Sequence, residues 1–319
     1  MSEAPRAVSR RRFLTTAAGT AALLSACGTD TPGTVADDGS VTVRHAFGET
    51  RIPARPTRVV SAGLTDADDL LALGVVPIAV TDWFGAEPFG VWPWAQPRLG
   101  GTQPVVLSLA DGIQVDQIAG LTPDLIVATD AGLDRATYEQ LSGIAPTLAQ
   151  AGPDAFFGPW REQAGAIGQA VFRHDHMQRL IADVDAGFDR VRNDHPQFSG
   201  KRALLLGGAL YRDSVQVSDP PWRREFLTQM GLTVQDTDGA LIPRDRMAAV
   251  LGETDVLIWA TESDQEQATL LADPTIAALP AQRHVFTGKE LAGAIAYAST
   301  LSYPVLADRL PALLTPALG

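Results

Sequence analysis

One stretch constrains this chain more than any other. From Trp160 to His195 there is no proline, and Gly165, Gly168 and Gly187 are the only glycines. Ile167, Val171, Ile181, Val184, Phe188 and Val191 recur at steps of three and four residues or their sums. That spacing puts them on one face of a helix. Thirty-odd residues at 1.5 Å each make a rod on the order of 50 Å. A rod of that length exceeds the average helix severalfold, so it is expected to bridge two bodies. Pro196 stops it, because proline lacks the N–H that a helix interior needs.

On both sides of this stretch, short apolar runs alternate with helical patterns, which is the signature of βαβ units. Before it, strands are expected at 58–62, 77–82, 124–129 and 146–149. Helices are expected at 65–73, with Thr65 or Asp66 as N-cap and Gly74 closing, at 115–121 and at 135–143. After it come strands at 203–207, 255–260 and 284–287, a helix at 222–230 and a closing helix at 304–314. The halves echo each other: Ile118 to Asp130 parallels Ala248 to Glu262. The expected fold class is therefore α/β, with two Rossmann-like lobes joined by one long rigid helix and a ligand cleft between them. The expected boundaries are 41–158 for the first lobe, 159–195 for the helix and 196–319 for the second lobe.

The N-terminus reads as an address. Arg6, Arg10, Arg11 and Arg12 precede a weakly apolar run from Phe13 to Ala26. That run is about 14 residues, short of the roughly 20 that a membrane-spanning helix needs. Ser9-Arg10-Arg11-Arg12-Phe13-Leu14 resembles the twin-arginine export motif, and Leu24-Ser25-Ala26-Cys27 resembles the bacterial lipobox. Cys27 is the only cysteine in the chain. Residues 1–26 are expected to be a removed signal, Cys27 the lipidated residue, and 27–40 a flexible Gly/Thr/Asp/Pro-rich tether. The expected location is the outer face of the cytoplasmic membrane.

Charge and composition narrow the chemistry. The net charge is −12, and losing the four arginines and one glutamate of residues 1–26 takes it to −15. Nucleic-acid binding, which needs a basic footprint, is excluded. A lone cysteine excludes internal disulfides and thiolate metal clusters. His174 and His176, two apart on a helix, do not face each other, so no histidine metal site is expected. No Gly-x-Ser-x-Gly elbow, Gly-rich phosphate loop or His-Glu-x-x-His is present, so the chain does not read as an enzyme.

Three phrases carry a family resemblance: Pro56-Thr-Arg-Val-Val-Ser61, Leu70-Leu-Ala-Leu-Gly-Val-Val-Pro-Ile-Ala-Val80 and Leu121-Thr-Pro-Asp-Leu-Ile-Val127. The helix from Trp160 and the ending Tyr297-Ala-Ser-Thr-Leu-Ser-Tyr-Pro-Val-Leu306 add to them. Over roughly Val41 to Leu314 the chain resembles the binding proteins of iron–siderophore, haem and cobalamin ABC importers, and within them the ferric-siderophore branch. The resemblance implies capture of a ferric siderophore and its delivery to a permease and ATPase, by a monomer. No cofactor is expected, because the siderophore itself holds the iron.

Open α/β sheets bind ligands beyond the carboxyl ends of their strands. The candidate ligand residues are Trp83, Trp92, Trp94, Trp222, Tyr211 and Tyr297 as walls, with Arg135, Arg212 and Arg223 pairing ligand oxygens. By resemblance, Asp116 and Asp245 would dock to permease arginines, with Glu253 as a substitute for the second. Haem or cobalamin is the alternative ligand, and a surface interaction lipoprotein without a small ligand is the alternative role. Haem would want Tyr211 or Tyr297 as an axial group.

Overall fold

The computed structural model describes residues 31–218 and 220–319. The expected export signal and Cys27 lie outside the described residues. Among the described residues, no helix is long and apolar enough to cross a membrane.

The first lobe opens with an antiparallel hairpin, β1 (Val41–His45) and β2 (Gly48–Ile52). Next come β3 (Val59–Ser61), α1 (Asp66–Ala72), β4 (Ala79–Thr81), β5 (Val105–Leu107), α2 (Val115–Gly120), β6 (Leu125–Ala128), α3 (Arg135–Ser142) and β7 (Thr147–Ala149). The five strands from β3 to β7 form one parallel sheet in the order β5-β4-β3-β6-β7. All four residues of β6, Leu-Ile-Val-Ala, are buried. Helices cover both faces of such a sheet, so its central strands are apolar without alternation.

Residues 160–195 do not form one rod. They form α4 (Trp160–Ala170) and α5 (His174–Asp194), a correction to the single connecting helix that the periodicity predicts. The break is a C-terminal capping turn. Arg173 N–H donates to the Gly168 carbonyl (2.7 Å) and Phe172 N–H to that of Gln169 (3.0 Å), while Phe172 takes a left-handed backbone at φ 60°. Glycine usually marks that position, and a phenylalanine there leaves nothing to read. Gly168 serves packing instead: a Cβ on it would lie 2.6 Å from Met177 Cβ. α4 packs on β1, α1 and β7 of the first lobe. The apolar face of α5 (Met177, Ile181, Val184, Phe188, Val191) is buried, and the helix packs on elements of the second lobe.

The second lobe contains β8 (Arg202–Tyr211), β9 (Ser214–Val217), α6 (Glu225–Gln229), β10 (Thr233–Val234), β11 (Leu241–Pro243), α7 (Arg244–Gly252), β12 (Val256–Ala260), α8 (Asp264–Ala272), α9 (Pro274–Ala277), β13 (His284–Phe286), α10 (Gly288–Tyr297) and α11 (Ser302–Leu318). Its parallel part runs β10-β8-β12-β13, the same order as β4-β3-β6-β7. The two lobes therefore repeat one unit, the fold class the alternation predicts. The departure is an antiparallel arm, β8-β9-β11, with an irregularity between Leu206 and Leu210. At its tip Arg212 (φ 49°) and Asp213 (φ 60°) make a two-residue turn with both residues left-handed. Arg244 ties this tip to α9 by pairing with Asp213 and Asp273.

Candidate functional site

The carboxyl ends of the central strands lead into the site. β4 runs into Trp83 and Phe84. Trp83 packs edge-on to Phe84 (ring centroids 4.6 Å) and lies 5.3 Å from Phe157 and 5.8 Å from Tyr297. Trp92 stacks on Trp94 at 5.0 Å, and both rings lie 5.9 Å from Tyr297 at the end of α10. Aromatic pairs at these separations add attraction beyond the area they bury. This cluster joins the first lobe's loops to α10 of the second.

Two of the expected wall residues are interior residues instead. Trp92 is 1% exposed and seated on Gly293, where a Cβ would meet its ring at 2.3 Å. Tyr297 is 5% exposed, and burial drives its phenol further toward the neutral form, so it offers a haem iron no accessible oxygen. Trp94 is half-buried and donates its indole N–H to Asp68 Oδ2 at 2.8 Å. Arg135 stands apart from all of these. Its side chain is 64% exposed, pairs loosely with Glu139 and lies over Phe47.

Arg223 is the exception among the arginines. It is 8% exposed, and its guanidinium lies 4.2 Å from the Phe157 ring centre and 5.3 Å from that of Trp222. Burial pulls its pKa down, and Asp130 partly restores it. Phe157 is held from both sides. Its N–H donates to Asp130 Oδ1 (2.6 Å), and its carbonyl accepts from Trp222 Nε1 (3.1 Å). It holds φ 56°, a strained backbone for a non-glycine residue. The sequence offered no sign of Phe157, since neither its loop nor its left-handed backbone follows a periodic pattern.

A cavity of about 510 Å³ opens beside Arg223. Leu205, Leu206, Val217, Leu241, Ala292 and Ile295 are among its apolar walls, and Tyr211, Gln216 and Ser218 contribute polar groups. Tyr211 is 43% exposed with Arg212 over its ring, so the arm of β8 and β9 supplies one side of the mouth. Of the candidates, Tyr211 and Arg223 line the cavity, Trp222 flanks Arg223, and Trp83 packs on Phe157, outside the lining. Asp116 and Asp245 occupy equivalent places in the two lobes, each exposed in the first turn of its helix, α2 and α7. Glu253 is exposed at the end of α7.

Four carboxylates beneath the site were not legible as such. Asp66, Asp68 and Asp69 on α1 are all buried, and desolvation pushes them up to about 7, 7 and 6. Asp130 rises to about 6 for the same reason. Of the two N-cap candidates, Thr65 holds that position, without a side-chain cap bond, and Asp66 lies inside the helix. Asp66 accepts from Gly63 N, Thr129 Oγ1 and Gln163 Nε2. Asp68 accepts from Ser299 Oγ, and Asp69 from the Thr300 N–H and hydroxyl. These bonds cross 231 residues of sequence and tie α1 to the turn before α11.

Nothing in this arrangement resembles a nucleophile poised beside a base. The cavity and its one buried cation belong to the second lobe rather than to a cleft lined by both, and the aromatic cluster beside them joins the two repeated lobes; together they fit a solute-binding protein. The chain belongs to the family described as periplasmic binding protein, whose match covers residues 59–290. Among solved structures, a periplasmic solute binding protein of Mycobacterium smegmatis str. MC2 155 is 66% identical, covers 89% of this chain and 100% of its own, and superposes with a TM-score of 0.87. The iron uptake ABC transporter substrate-binding protein PiaA of Streptococcus pneumoniae TIGR4 shares the fold at 23% identity, covering 87% of this chain and 99% of its own, with a TM-score of 0.70. The probable siderophore-binding lipoprotein YfiY of Bacillus subtilis (strain 168) is 31% identical over 176 residues, 54% of this chain and 51% of that one. The chain spans between 51% and 63% of the length of the curated relatives it matches.

Proposed function

We propose that this chain is the substrate-binding lipoprotein of an ABC importer and captures a ferric siderophore for delivery to the permease. The observation that carries the reading is the cavity between Arg223 and the arm of β8 and β9. Its apolar walls would cover the bulk of a chelate, and the Arg223 guanidinium would meet one of its oxygens. The names of the relatives, siderophore- and ferric-citrate-binding proteins, support the same ligand. The siderophore supplies the whole iron coordination sphere, so the protein contributes shape, one charge and exclusion of water. Asp116 and Asp245 dock the loaded monomer to the permease. The twin-arginine signal exports the chain, and lipid on Cys27 holds it at the outer face of the cytoplasmic membrane.

Tryptophan fluorescence of the full chain tests this reading. Trp222 flanks the cavity-lining Arg223 and Trp83 packs on Phe157 beyond it, so a bound ferric chelate is near enough to quench them. Saturable quenching by a ferric siderophore and none by haemin or cobalamin is expected. Quenching by haemin or cobalamin alone, or by nothing, overturns the ligand assignment.

A further inference from the structure

We propose that the site selects ferric chelates of little or no net charge, of the tris-hydroxamate type, over strongly anionic tris-catecholates and citrates. The proposal rests on the siderophore-binding reading above and deepens it. Among the described residues that line the cavity, Arg223 is the only charged side chain. It is not a free positive charge, because Asp130 lies close enough to act on it electrostatically. The described lining carries a single positive charge.

Among the described residues, the other cations near the cavity are paired or stand at its exposed rim, where Arg212 lies over the Tyr211 ring outside the lining. Lys289 is paired with Glu87 at 2.6 Å, and Arg161 with Asp185 and Glu225. The mouth is partly apolar: Leu241 and the ring of Tyr211 both line the cavity, and the two residues are 42% and 43% exposed. Large apolar side chains left open at a cavity mouth mark a contact surface.

The charge of the chelate follows from its chemistry. Three singly charged hydroxamates neutralise a ferric ion. Three doubly charged catecholates leave three negative charges, and citrate complexes likewise remain anionic. Burying such a polyanion demands several guanidinium partners, since an unpaired buried charge is strongly disfavoured. The described lining of this cavity offers one guanidinium, with a carboxylate acting on it electrostatically, in a chain of net charge −12. A neutral chelate needs no further compensation, and its alkyl backbone matches the Leu, Val, Ala and Ile walls.

The test is a quenching titration of the full chain with ferrichrome as the neutral tris-hydroxamate, ferric enterobactin as the tris-catecholate, and ferric dicitrate. Ferrichrome is expected to bind at least about tenfold tighter than either anion, a gap of about 1.4 kcal/mol. Its affinity is expected to be unchanged up to about 1 M salt, where screening shortens to about 3 Å. Tighter binding of ferric enterobactin or ferric dicitrate, or a ferrichrome affinity that collapses with salt, overturns the charge selection and leaves the siderophore reading standing. No binding of any of the three overturns both.

Discussion

Raising the pH from 5 to 8 should destabilise this protein, and Asp68 should carry a measurable part of the loss. Asp68 is buried under Ser299 and Trp94, and desolvation raises its pKa from 3.8 to about 7. A raised carboxyl pKa means that the folded state holds a proton the unfolded chain has released. The associated stability is complete below pH 3.8 and disappears as the pH rises through about 7. Between those values each pH unit costs about 1.4 kcal/mol for one such group. From pH 5 to 7, Asp68 alone accounts for about 2–3 kcal/mol, or a fall of about 5 °C or more in melting temperature. Asp66, Asp69 and Asp130 shift in the same direction and steepen the slope. Exposed carboxylates are already ionised above pH 5, so the general repulsion of an acidic chain changes little over this range. The assay is thermal melting of the native chain and the Asp68→Asn variant at pH 5, 6, 7 and 8. The amide cannot ionise, so the variant's slope should be shallower by about 1.4 kcal/mol per pH unit. Its deficit at pH 5 should shrink or reverse by pH 8. A native melting temperature that is flat or rises with pH, or an unchanged slope in the variant, would refute the argument.

Three further outcomes follow from the same geometry. Gly293→Ala sits inside α10, where alanine ordinarily gains about 1 kcal/mol, yet its Cβ would meet the Trp92 ring at 2.3 Å. Overpacking of about 1–3 kcal/mol should therefore lower the melting temperature, and a gain in stability would show that Trp92 gives way. Arg223→Met should weaken ferric-siderophore binding by about tenfold or more, the worth of a charge-assisted hydrogen bond. Its melting temperature should stay near the native value, because removing a desolvated cation offsets the lost contact with Phe157; unchanged affinity would remove Arg223 from the site. Asp116→Arg with Asp245→Arg should leave ligand affinity unaltered while iron uptake by cells falls at least about tenfold, as expected when like charges meet across an interface. Undiminished uptake would place the docking surface elsewhere.

Much of the architecture was legible because the signals are local. The Val-Val-Ser, Leu-Ile-Val-Ala and Val-Leu-Ile-Trp-Ala runs announce buried parallel strands wherever they are placed. The stripe from Met177 to Val191 announces a helix with one buried face, its Ile181, Val184, Phe188 and Val191 being the residues the periodicity picked out. The break at Phe172 was invisible, because a side chain that prefers a right-handed backbone was forced left-handed by the packing of α4 against α5. α10 was missed for another reason. Its Gly-Lys-Glu-Leu-Ala-Gly-Ala-Ile-Ala-Tyr sequence is buried along most of its last seven residues and shows no polar face there to set the period.

The sequence by itself determined an acidic α/β chain of two repeated lobes, since hydrophobic period and net charge survive in any arrangement of neighbours. It also marked an unusual density of indoles near residues 83–94. Which of those indoles is interior was decided only by the tertiary structure. Trp83 is half-buried against Phe157, whereas Trp92 is sealed against Gly293. The fate of Asp66, Asp68 and Asp69 was decided in the same way. Three acids in the first turn of a helix ordinarily sit in water, where they favour the helix dipole. Here Thr129, Ser299 and Thr300, distant in sequence, close over them. Desolvation depends on what covers a group, and that covering exists only once the chain has folded.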